Sequence, residues 1–167
     1  MAREVDRYYN QVGLPGELRK HGQTARALSL ALDLLGVVPA LIRETNHEYG
    51  CFNLQSIPPI EEGCILAALL DDERALADIR AVVERHPELQ PWVTTVDQGD
   101  DNLRAVRAIR DELSRTPGTA QSGLAKVLGL DGRQVSRLVS YLSQAGQVRR
   151  EMTGQSYTLN LVTDQRS

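Results

Sequence analysis

Residues 119–161 read TAQSGLAKVLGLDGRQVSRLVSYLSQAGQVRREMTGQSYTLNL, and this stretch decides the fold. Thr119 is a helix-capping residue type, and Leu124, Val127 and Leu128 then recur at helical spacing, so a short helix is predicted over Ala120–Leu128. Gly129 stands where a helix end needs left-handed backbone. Leu130 is expected to plug the core and Asp131 to cap a second helix, which carries Val135, Leu138, Val139 and Leu142 inward and ends at Gly146. Gln147–Met152 and Ser156–Leu161 alternate as two strands, with Thr153-Gly154-Gln155 at the tip. Short helix, tight turn, longer helix and hairpin together make a helix-turn-helix with a β-hairpin wing.

The other face of the second helix is expected to present Arg133, Gln134, Ser136, Arg137 and Ser140, with no acid among them. Such a face suits the major groove of duplex DNA, where arginine pairs with guanine edges and glutamine with adenine. Base contacts come mostly from the amino-terminal half of such a helix, which singles out Arg133, Gln134 and Arg137. Ser122 and Lys126 on the preceding helix are candidates for backbone contacts. Arg149 and Arg150 lie on opposite sides of the first wing strand, so one of the two faces DNA. The tip residues Thr153, Gly154 and Gln155 would lie along phosphate or the minor groove. Charge agrees with this placement. Residues 1–100 carry 9 basic and 16 acidic side chains, a net −7, while residues 101–167 carry 10 and 6, a net +4, within an overall −3. Only Lys20 and Lys126 are lysine among the 19 basic residues. Arginine suits bidentate contact with guanine and phosphate, and its excess is equally the mark of a GC-rich genome.

The run LAKVLGLDGRQVSRLVSYLSQAGQVRRE, within residues 102–162, resembles the MarR-like and related winged helix-turn-helix regulators of bacteria. That resemblance implies a homodimer on a near-palindromic operator. The chain departs from the MarR-like pattern in lacking the usual helices before and after the winged unit.

Working outward, Asn102 is expected to cap a helix over Leu103–Arg115 with Ala105, Val106, Ile109 and Leu113 inward, closed by Thr116-Pro117-Gly118. Gln90–Asp101, with Pro91, Gly99, Asp97, Asp100 and Asp101, reads as the linker. Residues 60–70, IEEGCILAALL, fit either a helix or a buried strand, and Glu61-Glu62 after Pro58-Pro59 favours a helix start. Asp71-Asp72 starts or continues a helix to about His86, with Leu76, Ile79, Val82 and Val83 as its stripe. Near the amino terminus, helices are predicted over Arg3–Gln11, Glu17–His21 and Thr24–Leu35. Ala40–Glu44 and Tyr49–Gln55 are strand candidates around a turn at Thr45–Glu48.

Laying Gly22–Leu54 over Gly129–Leu161 without gaps brings together the turn glycines, Arg26 with Arg133, Leu35 with Leu142, Arg43-Glu44 with Arg150-Glu151 and Asn53-Leu54 with Asn160-Leu161. A second winged helix is therefore expected at about residues 3–56, with Arg26 alone kept from the reading set. The expected fold class is mainly α with small β-hairpin wings. Its parts are an amino-terminal winged-helix-like domain over 1–56, a helical connector, dimerisation segment and linker over 57–100, and the DNA-binding domain over 101–167.

Hydrophobic residues make up 41% of the chain and aromatics 4%, so aliphatic side chains must fill the core. No membrane span is predicted, and MAREVDRYYNQ lacks an apolar signal core, which points to the cytoplasm. Cys51 and Cys64 read as buried thiols; with His47 they supply three metal ligands but no CxxC pair and no obvious fourth ligand. No phosphate loop, GxGxxG, HExxH or GxSxG occurs, and Asp71-Asp72-Glu73 fits a helix start better than a metal site. No enzyme activity, metal or cofactor is expected. The expectation is sequence-specific binding of double-stranded DNA by a dimeric transcriptional regulator. The alternative is a protein-interaction module of tandem winged helices, with a protein partner on the amino-terminal half, or a plasmid or phage replication or partition protein.

Overall fold

The computed structural model describes residues 2–49 and 56–162. Its helices are α1 (Ala2–Gln11), α2 (Leu14–Lys20), α3 (Thr24–Leu35), α4 (Val38–Tyr49), α5 (Pro58–Leu70) and α6 (Glu73–Arg85). A 3-10 turn, Pro87–Trp92, leads into α7 (Val93–Arg115). Then come β1 (Thr119–Ala120), α8 (Gln121–Leu128), α9 (Gly132–Gln144), β2 (Val148–Thr153) and β3 (Ser156–Leu161).

A helix that is apolar on every side has to be surrounded, and α5 is that helix. Ile60, Cys64, Leu66, Ala67, Ala68 and Leu69 are all buried. Prolines at its first positions start it, and Asp71 ends it in left-handed backbone with φ 57. Small residues let its neighbours close in. A Cβ on Gly63 would come within 3.0 Å of Ile79 Cδ1 of α6, and one on Gly99 of α7 within 2.9 Å of Leu76 Cδ2 and 3.1 Å of Cys64 Cβ. Two apolar clusters meet on α5: most of the helix joins α3, α6 and the start of α7, while Leu69 joins the carboxy-terminal cluster. Arg110 of α7 ties this joint by donating to the Leu69 carbonyl at 2.5 Å and to Gln147 Oε1, and Gln147 Nε2 also donates to Leu69 O at 3.1 Å.

The carboxy-terminal unit runs α7-β1-α8-α9-β2-β3. Its small antiparallel sheet has the order β1-β3-β2. Thr119 pairs with Leu159, and the hairpin runs from Val148 opposite Leu161 to Thr153 opposite Ser156. Gly154, with φ 66, supplies the positive φ of the two-residue turn. Val106, Ile109 and Leu113 of α7 pack with Leu124, Val135, Leu138, Val139, Leu142, Val148 and Leu159.

Several expectations are corrected. Ala40–Glu44 is not a strand but part of α4, because Val38, Leu41 and Ile42 fall at helical spacing and all three are buried. The second strand candidate enters α4 at Tyr49 and otherwise lies outside the described residues. Among its described residues the region 3–56 thus keeps the short helix α2, the glycine turn (Gly22, φ 74, against Gly129, φ 64) and the following helix, after which a helix stands in place of the expected first wing strand. Residues 57–100 are no connector, since α5 is the centre of the fold and its apolar surface is consumed within the chain. Gln90–Asp101 is no linker, because α7 runs through it. Asn102 is therefore buried inside α7 rather than capping it. Asp71-Asp72 does stand at the start of α6, where Asp72 is the cap and accepts from Ala75 N at 2.9 Å. Thr119 sits in β1 and not at a helix cap, and Val127 is 63% exposed. A window within Thr24–Glu44 reaches a mean hydropathy of 1.8, high enough for a membrane span by composition. Its Ala27, Leu28, Ala31, Leu34, Leu35 and Leu41 are core residues here.

Candidate nucleic-acid interface

The inward stripe of α9 fixes what its other face shows. Asp131 starts the helix by accepting from Gln134 N at 2.9 Å. Val135, Leu138, Val139 and Leu142 are buried. Arg133, Ser136 and Arg137 then stand exposed and Ser140 half-buried, one turn apart along one face. Neither Arg133 nor Arg137 makes a side-chain hydrogen bond or ion pair among the described residues. That contrasts with Arg19, Arg80, Arg104 and Arg107, each paired with a carboxylate. The fifth expected member departs. Gln134 is turned against α7, where its Nε2 donates to the Oδ1 of buried Asn102 at 3.1 Å.

Lys126 and Ser122 are exposed on α8, and the Ser122 hydroxyl lies 3.5 Å from that of Ser156 at the start of β3. A cleft of about 320 Å³ opens between α8, α9 and the hairpin. Ser122, Ser136 and the tip residue Gln155 line it, as do two residues that the sequence did not single out, Gln121 and Tyr157. Gln121 Nε2 donates to Ser136 Oγ at 3.4 Å, while its Oε1 is buried without a partner. Tyr157 alternates with Leu159 and Leu161, so it belongs to the inward side of the strand, but it lies beyond the core and is 36% exposed. That alternation was the available signal.

The wing separates its two arginines as the alternation requires. Arg150 shares the side of buried Val148 and stacks on the Tyr157 ring at 4.4 Å, with its Nε lacking a hydrogen-bond partner. Arg149 points to the opposite side, exposed, 3.7 Å from Glu151. Thr153, Gly154 and Gln155 are exposed at the tip.

The amino-terminal helices grip the far half of α9 through one side chain. Arg19 of α2 is 7% exposed. Its Nε and Nη2 donate to the two oxygens of Glu62 at 2.8 and 3.2 Å, its Nη1 donates to Gln144 Oε1 at 3.1 Å, and its guanidinium lies 4.4 Å from the Tyr141 ring centre. Burial works against its charge, but the hydrogen bonds and charge of Glu62 outweigh burial and raise its pKa above the ordinary arginine value. No local sequence signal marks Arg19, because both polar partners are remote in the chain. Cys64 is a buried free thiol whose pKa is pushed up to about 12, first by burial and then by the charge of Asp100. The side chain of His47 and the whole of Cys51 lie outside the described residues, and among those described no three metal-ligand side chains come together.

Comparison with known proteins finds no protein-family model, curated relative or solved structure that matches this chain.

Proposed function

We propose that the carboxy-terminal unit is a winged helix-turn-helix and that the protein binds double-stranded DNA sequence-specifically, as a dimeric bacterial transcriptional regulator in the cytoplasm. In this reading α9 enters the major groove. Arg133 and Arg137 read base edges, with Ser136 and Ser140 beside them. Ser122 and Lys126 hold backbone phosphates, and the hairpin, with one of Arg149 and Arg150 and the tip Thr153-Gly154-Gln155, lies along phosphate or the minor groove. Gln134 acts from behind, holding α9 to α7. The observation that carries the reading is the pair of unpartnered guanidiniums on an acid-free helix face, where Arg19, Arg80 and Arg107 elsewhere each hold a carboxylate.

Duplexes selected from a random pool, followed by gel shifts in rising salt, test it. Binding should fall steeply with salt, with a log–log slope of about −0.9 per phosphate neutralised. Arg133→Ala and Arg137→Ala should each cost about 1–3 kcal/mol and relax preference at one base position. No enriched sequence, or affinity indifferent to salt and to both substitutions together, refutes the proposal. Light scattering of the free protein and of the complex tests the dimer.

A further inference from the structure

Beside the exposed face of α9, on the side away from the wing, a second cavity of about 150 Å³ opens where α5, α7 and α9 meet. At ~30 Å³ per water, that is room for about five water-sized groups. α5 contributes Glu61 and the wall residue Cys64, α7 contributes Gln98 and Asn102, and α9 contributes Arg137 and Tyr141. Most of its lining is apolar, but a carboxylate, a guanidinium and two amides interrupt it.

Its polar groups are left over from the fold. Asn102 is only 5% exposed, and its Oδ1 already accepts from both Gln98 Nε2, at 3.4 Å, and Gln134 Nε2, at 3.1 Å. Its Nδ2 donates to nothing among the described residues and is not closed off from solvent. Glu61 accepts from the Ser56 hydroxyl at 3.1 and 3.2 Å, and no cation pairs with it among the described residues. Arg137 is unpaired too, so a carboxylate and a guanidinium line one cavity without a salt bridge between them. A ligand seated here would accept from Asn102 and Arg137 and donate to Glu61, within a handful of heavy atoms.

We propose that this cavity binds a small zwitterion, a free α-amino acid no larger than serine, with its carboxylate on Arg137 and Asn102 Nδ2 and its ammonium on Glu61. A carboxylate held by guanidinium and amide gains charge-assisted hydrogen bonds, and a cavity of about 150 Å³ leaves no room for a long side chain. The consequence for DNA rests on the function proposed above: an occupied cavity draws Arg137 off the reading face, so ligand and duplex compete for one side chain.

Isothermal titration of the full chain, without DNA, with glycine, L-alanine and L-serine tests the site. At least one should bind saturably, whereas acetate and methylammonium, each carrying one of the two charges, should bind at least about tenfold more weakly. Glu61→Gln and Arg137→Gln, both conservative at accessible positions, should each weaken the amino acid at least about tenfold, with unchanged circular dichroism. Absence of heat with all three amino acids, or binding that survives both substitutions, overturns the site. Anisotropy of a selected duplex should then show at least about fivefold weaker binding at saturating amino acid; unchanged duplex affinity overturns the competition. If no duplex binds while the titration succeeds, the DNA reading fails and the amino-acid site stands. If duplexes bind and no amino acid does, the site alone fails.

Discussion

Replacing Arg19 with alanine separates two views of how the amino-terminal helices relate to α9. Were they merely adjacent, losing one arginine would cost what a surface ion pair costs, about 0–1 kcal/mol. The structure demands more. Arg19 is 7% exposed and Glu62 keeps 20% of its side chain accessible, so the substitution leaves a largely dehydrated carboxylate without its counter-ion. Breaking a buried pair from one side costs about 3–5 kcal/mol, and the residual hydration of Glu62 places this pair near about 3 kcal/mol. Stacking on Tyr141 adds about 0.5–1 kcal/mol. A total loss of about 3–4 kcal/mol is therefore expected for Arg19→Ala. Urea unfolding followed by circular dichroism measures it, with the slope checked for constancy. Arg19→Met with Glu62→Leu together should cost clearly less than the sum of the single changes, a coupling of about 2 kcal/mol, because the pair leaves no orphan charge behind. A single-variant loss below about 1 kcal/mol, or a coupling near zero, refutes the clamp.

Gly129→Ala puts a Cβ on left-handed backbone at φ 64 and should lower stability by about 1–2 kcal/mol in a thermal melt. Gly123→Ala, inside α8 with nothing within 4 Å of the new Cβ, should instead raise it by about 0.5–1 kcal/mol. Gln134→Ala should cost about 1 kcal/mol of stability through the bond to buried Asn102, with a smaller effect on base preference than Arg133→Ala; the reverse ranking in selection experiments would return Gln134 to the reading face. Cys64 should resist alkylation in the native protein at pH 8, as peptide mapping can show. Its folded pKa is raised, so its neutral form supports the fold at low pH, and stability should fall as pH climbs from about 9 toward about 12, where the unfolded thiol ionises first; Cys64→Ala should flatten part of that fall in urea midpoints.

The carboxy-terminal unit was legible because local and global demands agree there. Asp131 and Gly146 bound a stripe that stays in helical phase from Val135 to Leu142, and the hairpin alternates through a turn that glycine alone favours. β1 was not legible, since two residues become a strand only by finding Leu159 and Thr158 some forty residues on. Three acids and a glycine before Asn102 read as a linker, yet in helical geometry Asp97 and Asp100 stand one turn apart and both bond Arg80, at 2.8 and 2.6 Å. Charge density there belongs to a helix–helix clasp. Ala40–Glu44 misled because Leu41-Ile42 suits strand or helix, and packing against the α3 side of the core decided it. On the interface, side-chain class predicted exposure for Arg133, Ser136 and Arg137 but not the orientation of Gln134, which depends on the distant amide of Asn102.

The amino-terminal body earns its place through where it touches α9. Arg19 holds Tyr141 and Gln144, in the carboxy-terminal half of the helix, whereas Arg133 and Arg137 project from the amino-terminal half. A body with net charge −7 over residues 1–100 would repel a duplex if it flanked the turns proposed to read bases. Anchored at the far end, it braces the helix while leaving those turns bare. The exception is Glu61, the one acid of that region lining a cavity with Arg137. Repulsion between Glu61 and a phosphate, and attraction between Glu61 and Arg137, both oppose duplex binding. Removing that charge by Glu61→Gln should therefore tighten DNA binding at low salt, with the gain fading as screening shortens the reach of both interactions.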